Sequence, residues 1–247
     1  MSSMFRTATS FNQDLNTWNT SNVIDMSYMF DGARNFDGNN SSWNTSNVID
    51  MSYMFNGTTA YNQDIGNWNT ENVINMSYMF YRATSFNQNI NAWNTISATT
   101  MKKMFERATS FNQNLNSWNT GNVTDISGMF LLASSFNQDI STWNTSNVTN
   151  ISSMFVLASS FNQDISTWNT SNVTDMSYVF YKSTAFNQNI GNWNLNAVTN
   201  MTNMLDSSGL DCKNYSSTLI GWGNNPSSPD NLTLGASGLE YSIKAED

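Results

Sequence analysis

Histidine is absent from this 247-residue chain, cysteine occurs once, at Cys212, and proline only twice. Without histidine neither a Ser-His-Asp nor a Cys-His relay can be assembled, and Cys212 has no evident base beside it to activate a thiolate. A single cysteine also excludes an intrachain disulfide framework. Charge is scarce: 9 Lys and Arg face 18 Asp and Glu, charged residues are 11% of the chain, and the net charge is −9. A surface of that sign repels phosphate backbones, which argues against nucleic acid as a partner. No apolar run approaches the roughly 20 residues of a membrane-spanning helix, no signal peptide precedes the first motif, and no Gly-rich phosphate loop is present.

What the chain does contain is a repeat. Met-Phe recurs every 25 residues at Met4-Phe5, Met29-Phe30, Met54-Phe55, Met79-Phe80, Met104-Phe105, Met129-Phe130 and Met154-Phe155, and Val179-Phe180 and Met204-Leu205 continue the row. A tryptophan keeps the same step from Trp18 to Trp193. Spacing without insertions predicts one coil per unit in a stacked solenoid, since neighbour-on-neighbour packing tolerates no slippage. Residues 1–205 read as about eight such repeats and residues 206–247 as a C-terminal capping segment. Met1 shares the repeat position of Met26, Met51 and Met76, so the first residue reads as a cut inside a longer array.

Within a unit the apolar residues form rows. Phe11, Phe36, Tyr61 and Phe86 belong to one; Leu15, Ile65 and Ile90 to another; Val23, Val48 and Val73 to a third. An apolar residue in every copy is what an internal core column requires. Val148, Ile151, Met154, Phe155 and Ala158 are spaced by three and four, which predicts a short helical turn, whereas Ile165 between polar neighbours predicts a short strand over 163–168. The Asn-Thr-Ser-Asn segment after each tryptophan reads as a turn. Asn40 in place of Ile or Leu, and Ile96-Ser97-Ala98-Thr99-Thr100 in place of Ser-Asn-Val-Thr-Asp, predict two looser coils. In the tail, Tyr215, Leu219, Ile220 and Trp222 are expected to lay one apolar face over the last coil, with Pro226 and Pro229 marking a loop before Leu232-Thr233-Leu234.

The run Phe-Asn-Gln-Asp-Ile-x-x-Trp-Asn-Thr-Ser-Asn-Val-Thr-Asp-Met-Ser-x-Met-Phe resembles the BspA-type leucine-rich-repeat surface proteins, in particular the 25-residue repeat of mycoplasma surface lipoproteins. The resemblance covers residues 1 to about 205, and Asn214-Tyr215, Leu219-Ile220-Gly221-Trp222 and Asn231 to Gly235 look like the segment closing such arrays. It implies an α/β repeat solenoid: a right-handed leucine-rich-repeat-like stack with one short parallel strand and one short helical turn per coil. It also implies secretion or cell-surface display, and adhesive or structural roles.

Residues 133–149 and 158–174 are identical, and identical copies make surfaces rather than unique pockets. The expectation is therefore a non-enzymatic extracellular module without cofactor or resident metal, acting through multivalent contacts with host or matrix proteins and surface glycans. The alternative is a self-assembling filament subunit that partners itself. Variation concentrates just after Met-Phe. Leu131, Leu132, Val156, Leu157 and Tyr181 would form an apolar interface, and Tyr81, Arg82, Lys102, Lys103 and Arg107 a basic, aromatic patch. Two minor alternatives rest on ladders: calcium on the Asp/Asn rows at Asp14, Asp64, Asp139 and Asp164 and at Asp25, Asp50, Asp125 and Asp175, and ice or a crystalline polysaccharide on Thr20, Thr45, Thr70, Thr95, Thr120, Thr145 and Thr170.

Overall fold

The computed structural model describes residues 1–225, 229 and 231–241; Pro226 lies outside them. Each coil is bent by side chains acting on their own backbone. Asp139, Asn144 and Asn150 each accept the N–H two residues on, from Ser141, Ser146 and Ser152. These Asx turns set three corners per coil, and they use the residues that compete best with regular secondary structure.

The expected helical turn is not helical. In residues 151–158 alternate N–H groups take different routes. Met154, Val156 and Ala158 donate three residues back to Ile151, Ser153 and Phe155, whereas Ser153, Phe155 and Leu157 donate to Ser177, Val179 and Tyr181 on the next coil. Ser153 (φ 59°) and Leu157 (φ 55°) are left-handed, so no helix can pass through them. The result is a run of β-turns whose outward N–H groups bind coil to coil. A helix would have kept those bonds to itself.

The expected strand is displaced as well. Single parallel bridges join Asp125 to Asn150, Asn150 to Asp175 and Asp175 to Asn200, ten residues beyond the 163–168 segment's Ile165 column. Around 163–168 a side chain replaces the backbone partner: the Asn162 N–H donates to Asn137 Oδ1 (2.9 Å), and Asn187 N–H to Asn162 Oδ1 (2.8 Å). Gln163 Nε2 adds bonds to the carbonyl and side-chain oxygens of Asn137. An amide inserted between neighbouring backbones leaves no room for a sheet ladder there.

The core is a set of aromatic columns. Phe130 stacks on Phe136 at 3.8 Å and on Phe155 at 5.9 Å, and Trp143 lies 6.4 Å from Trp118 and 6.3 Å from Trp168. Each buried indole satisfies its N–H on a carbonyl of the previous coil, Trp143 on Leu115 (3.0 Å) and Trp168 on Ile140 (3.1 Å). No single coil could bury these rings alone, so stability is shared between neighbours.

Neither irregular coil is left open. Asn40 is fully buried and accepts the hydroxyl of Tyr61 (2.8 Å), the one tyrosine in the phenylalanine column. Ala98 is buried, and the Ala98 and Thr99 N–H groups keep their repeat partners Thr95 and Ile74. Thr58 and Ser183, in the alanine row, donate to the carbonyls of Phe55 and Phe155.

The tail continues the stack. The helix α1 (Cys212–Gly223) is capped by Asp211, whose side chain accepts the Asn214 N–H (2.7 Å). Trp222 Nε1 donates to Ile190 (3.0 Å), as Trp193 does to Ile165, and Asn214 replaces the repeat glutamine by donating to Asn187. The helix comes so close at Gly221 that a Cβ there would lie 2.6 Å from Gly191 Cα. Beyond it, Leu234 bridges Met201 in parallel, and the Leu205 N–H donates to Gly235 (2.8 Å). Tyr215 and Trp222 are buried as expected of an apolar face, but Ile220 is 48% exposed and points off it.

Candidate contact edge

Leu132 donates to Val156 (2.8 Å), Leu157 to Tyr181 (2.9 Å) and Arg107 to Leu131 (2.7 Å), so the residues after Met-Phe stand side by side along one edge. Leu131, Leu132, Val156 and Tyr181 are half-buried and Leu157 is exposed. They form one apolar stretch.

Two of the basic residues, Lys103 and Arg107, come together around an anion. Glu106 is 4% exposed, with Lys103 Nζ 3.1 Å from Oε2 and Arg107 Nε 3.7 Å from Oε1. Burial works to lower the Lys103 pKa, but the bond and charge of Glu106 outweigh it and hold the ammonium above its ordinary value. Arg82 lies over the Tyr81 ring at 5.2 Å. Lys102 belongs to a neighbouring row with Ser77 and Ser127, and no ion pair involves it among the described residues.

Two adjoining grooves run along this edge. One, of about 440 Å³, lies among Asp31, Gly32, Arg34, Asn56, Gly57, Tyr81 and Arg82. The other, of about 570 Å³, lies among Arg82, Thr84, Arg107, Thr109, Leu132 and Ser134, and both share Thr59 and Arg82. Arg34 lies outside the two positions after Met-Phe, in a row otherwise occupied by threonine or serine, as at Thr9, Thr59, Thr84, Thr109 and Ser134.

The edge also carries a stack of tyrosines. Tyr53 is 4.5 Å from Tyr28 and 4.3 Å from Tyr78, with Arg6 over one end and Lys103 over the other. Burial, then the neighbouring phenols Tyr78 and Tyr28, pushes the Tyr53 pKa up to about 12. The signal was present in the sequence as tyrosine at the same position of three consecutive repeats.

The threonine row proposed as a flat array is turned inward. Thr20 through Thr170 are at most 3% exposed, and each hydroxyl donates to a carbonyl of the next coil, as Thr145 does to Asn169 (3.0 Å). The exposed row is instead Thr99, Thr124, Thr149, Thr174 and Thr199, which continues Ile24, Ile49 and Ile74. In the Asp/Asn rows one carboxylate oxygen holds the turn. Asp139 accepts the Ser141 N–H, and that bond draws its pKa below the usual carboxylate value.

Similar 25-residue coils, joined one to the next by hydrogen bonds and parallel bridges, make up residues 1–205. Residues 1–118 and 99–218 match the family described as "Mycoplasma protein of unknown function, DUF285", and the chain belongs to that family. No curated protein and no solved structure matches it. Among the described residues no helix is long and apolar enough to cross a membrane.

Proposed function

We propose that the chain is a non-enzymatic adhesive or structural module displayed outside the cell, a right-handed leucine-rich-repeat-like solenoid of the BspA type that binds along its variable edge. The observation that carries this reading is the division of labour between positions. Residues that recur are mostly buried or hold turns, whereas the widest change of chemistry, from acid to base to aliphatic, falls at the positions after Met-Phe, which stand together on one edge. Tyr81-Arg82, Glu106-Arg107, Leu131-Leu132 and Val156-Leu157 give that edge a changing chemistry on a constant frame. Contacts that are weak one by one add along such a frame through avidity. The filament alternative has less support, because α1 and residues 231–239 close over the last coil.

The test is a binding screen of the protein against immobilised matrix proteins and glycans, run beside L132D/L157D. The wild type is expected to bind at least one class, and the variant to lose at least tenfold in affinity with its melting temperature unchanged. No binding by the wild type to any member, or equal binding by the variant, overturns the reading.

A further inference from the structure

Arginine is rare in this protein and unevenly placed: of Arg6, Arg34, Arg82 and Arg107, the last three line the two adjoining grooves. In a chain of net charge −9, the most favourable position for a guanidinium is beside a carboxylate. Arg34 and Arg82 have none. Among the described residues neither forms an ion pair, and Arg82 has only the Tyr81 ring beside it. The acids nearby are already held: Asp31 by Arg6 (2.8 Å) and Asn56 (2.8 Å), and Glu106 by Lys103. That leaves Arg34 and Arg82 as uncompensated positive charge within a groove, and Arg107 only loosely engaged at 3.7 Å.

We propose that this groove is a binding site for an acidic polysaccharide, with Arg34 and Arg82 as the residues that grip its anionic groups. Four features select that class. First, the coils are about 4.8 Å apart if they follow ordinary inter-strand spacing, so the three guanidiniums extend over roughly 14 Å, suited to a chain rather than a lone ion. Second, the floor between them offers acceptors for sugar hydroxyls: the hydroxyl oxygens of Thr59 and Thr84, whose own protons go to the Arg34 and Thr59 carbonyls, and Asn56 Oδ1, whose amide nitrogen holds Asp31. Third, the backbone N–H groups of the edge are already taken: Gly32 donates to Asn56, Gly57 to Tyr81 and Arg82 to Glu106, at 2.7, 2.7 and 2.8 Å. A peptide would find no free strand edge to extend and would rely on side chains alone. Fourth, the overall negative field penalises dense polyanions, so a polymer with about one charge per sugar binds where nucleic acid does not. Gly32 and Gly57 open the N-terminal end of the groove, where later coils carry Arg, Leu or Lys at the same position.

The inference rests on the adhesive reading and names its ligand class. The experiment is calorimetric titration of the full chain with polygalacturonate, a dextran sulfate of low substitution (about one sulfate per sugar, to match the charge density of polygalacturonate), uncharged dextran and polyglutamate. Wild type is compared with R34A/R82A, R34K/R82K and L132D/L157D, and melting curves confirm that each is folded. The wild type is expected to bind polygalacturonate or dextran sulfate but not dextran, and the stronger of the two identifies the anion as carboxylate or sulfate. R34A/R82A should weaken binding at least tenfold, and R34K/R82K should recover only part, since lysine keeps the charge but not the paired donors. Absence of binding to either anionic glycan overturns the proposal, as does equal binding by R34A/R82A. Arginine-dependent binding of polyglutamate as tight as that of the glycans also overturns it, because the site would then not select sugar. Loss of glycan binding in L132D/L157D alone would refute this groove while leaving the adhesive reading intact, whereas failure of the broad screen would remove that reading itself.

Discussion

Asn40 and Tyr61 are a polar pair built into an apolar column, and exchanging them for the residues of the other coils gives a quantitative test of the packing. Elsewhere the position of Asn40 is leucine or isoleucine and that of Tyr61 is phenylalanine. Both residues are fully buried, the Tyr61 hydroxyl donates to Asn40 Oδ1 at 2.8 Å, and Asn40 Nδ2 has no partner among the described residues. Y61F therefore strands a buried amide oxygen beside an amide nitrogen already unpaired, at a cost of about 1–3 kcal/mol. N40L has offsetting effects: it orphans the phenol, at a similar cost, but gains about 1.5–3 kcal/mol of apolar burial. The double variant N40L/Y61F leaves no orphan and should be at least as stable as the wild type, because replacing both partners of a buried bond by apolar groups is nearly neutral or better. The coupling energy from the four proteins should then be about 1–3 kcal/mol, with the double variant more stable than Y61F. Urea unfolding supplies the four stabilities, and for a chain of this size 1 kcal/mol moves the melting temperature by roughly 2–4 °C. Stability in stacked repeats is local, so hydrogen exchange of the Trp68 indole N–H, which donates to the Asn40 carbonyl at 3.3 Å, reads the same coil directly. Coupling below about 0.5 kcal/mol, within the range of independent sites, would refute the buried bond as the reason for this departure from the repeat.

Thr145→Val should cost about 1 kcal/mol, because the Asn169 carbonyl loses a buried donor at 3.0 Å. Thr149→Val, on the exposed row, should stay within about 0.5 kcal/mol of wild type in the same denaturation assay. Tyr53 supplies a pH prediction: its folded pKa is raised from 10.0 to about 12, so the fold favours the neutral phenol. Its contribution is complete below pH 10 and lost as pH rises through about 12, and Y53F should flatten the fall in melting temperature across that window.

The period was legible in the sequence because stacking requires it, and with it came the columns of Phe, Trp, Ile and Val and the adjacency of Leu132 to Leu157. Local geometry was less legible. A run of turns with a left-handed residue at every fourth position gives apolar residues the same three-and-four spacing as a helix, so Ile151, Met154, Phe155 and Ala158 fit both. The direction of N–H donation decides between them, and side-chain pattern carries no trace of it. The inward turn of Thr145 is hidden for a related reason: a hydroxyl that donates to the next coil's carbonyl can be buried without penalty, so its polarity does not mark a surface. Arg34 stands in a row that is otherwise mostly threonine, and only the stacking of the coils brings it into one groove with Arg82.

The left-handed positions on the edge carry a further consequence. Gly32 and Gly57 occupy one row with φ of 72° and 68°, which glycine adopts freely. Arg82, Arg107, Leu132, Leu157 and Lys182 occupy the same row in the same conformation, where a side chain costs roughly 1–2 kcal/mol. Space is not the constraint at Gly57, where the nearest atom to a Cβ would be Gly32 Cα at 3.7 Å. A position that served only to close a turn would favour glycine in every coil. Five coils instead hold long side chains there against backbone strain, three of them cationic and two aliphatic. Strain of that kind concentrates where side chains make contacts beyond the fold, which supports the proposal that the edge bearing Arg82 and Leu132 is the contact surface.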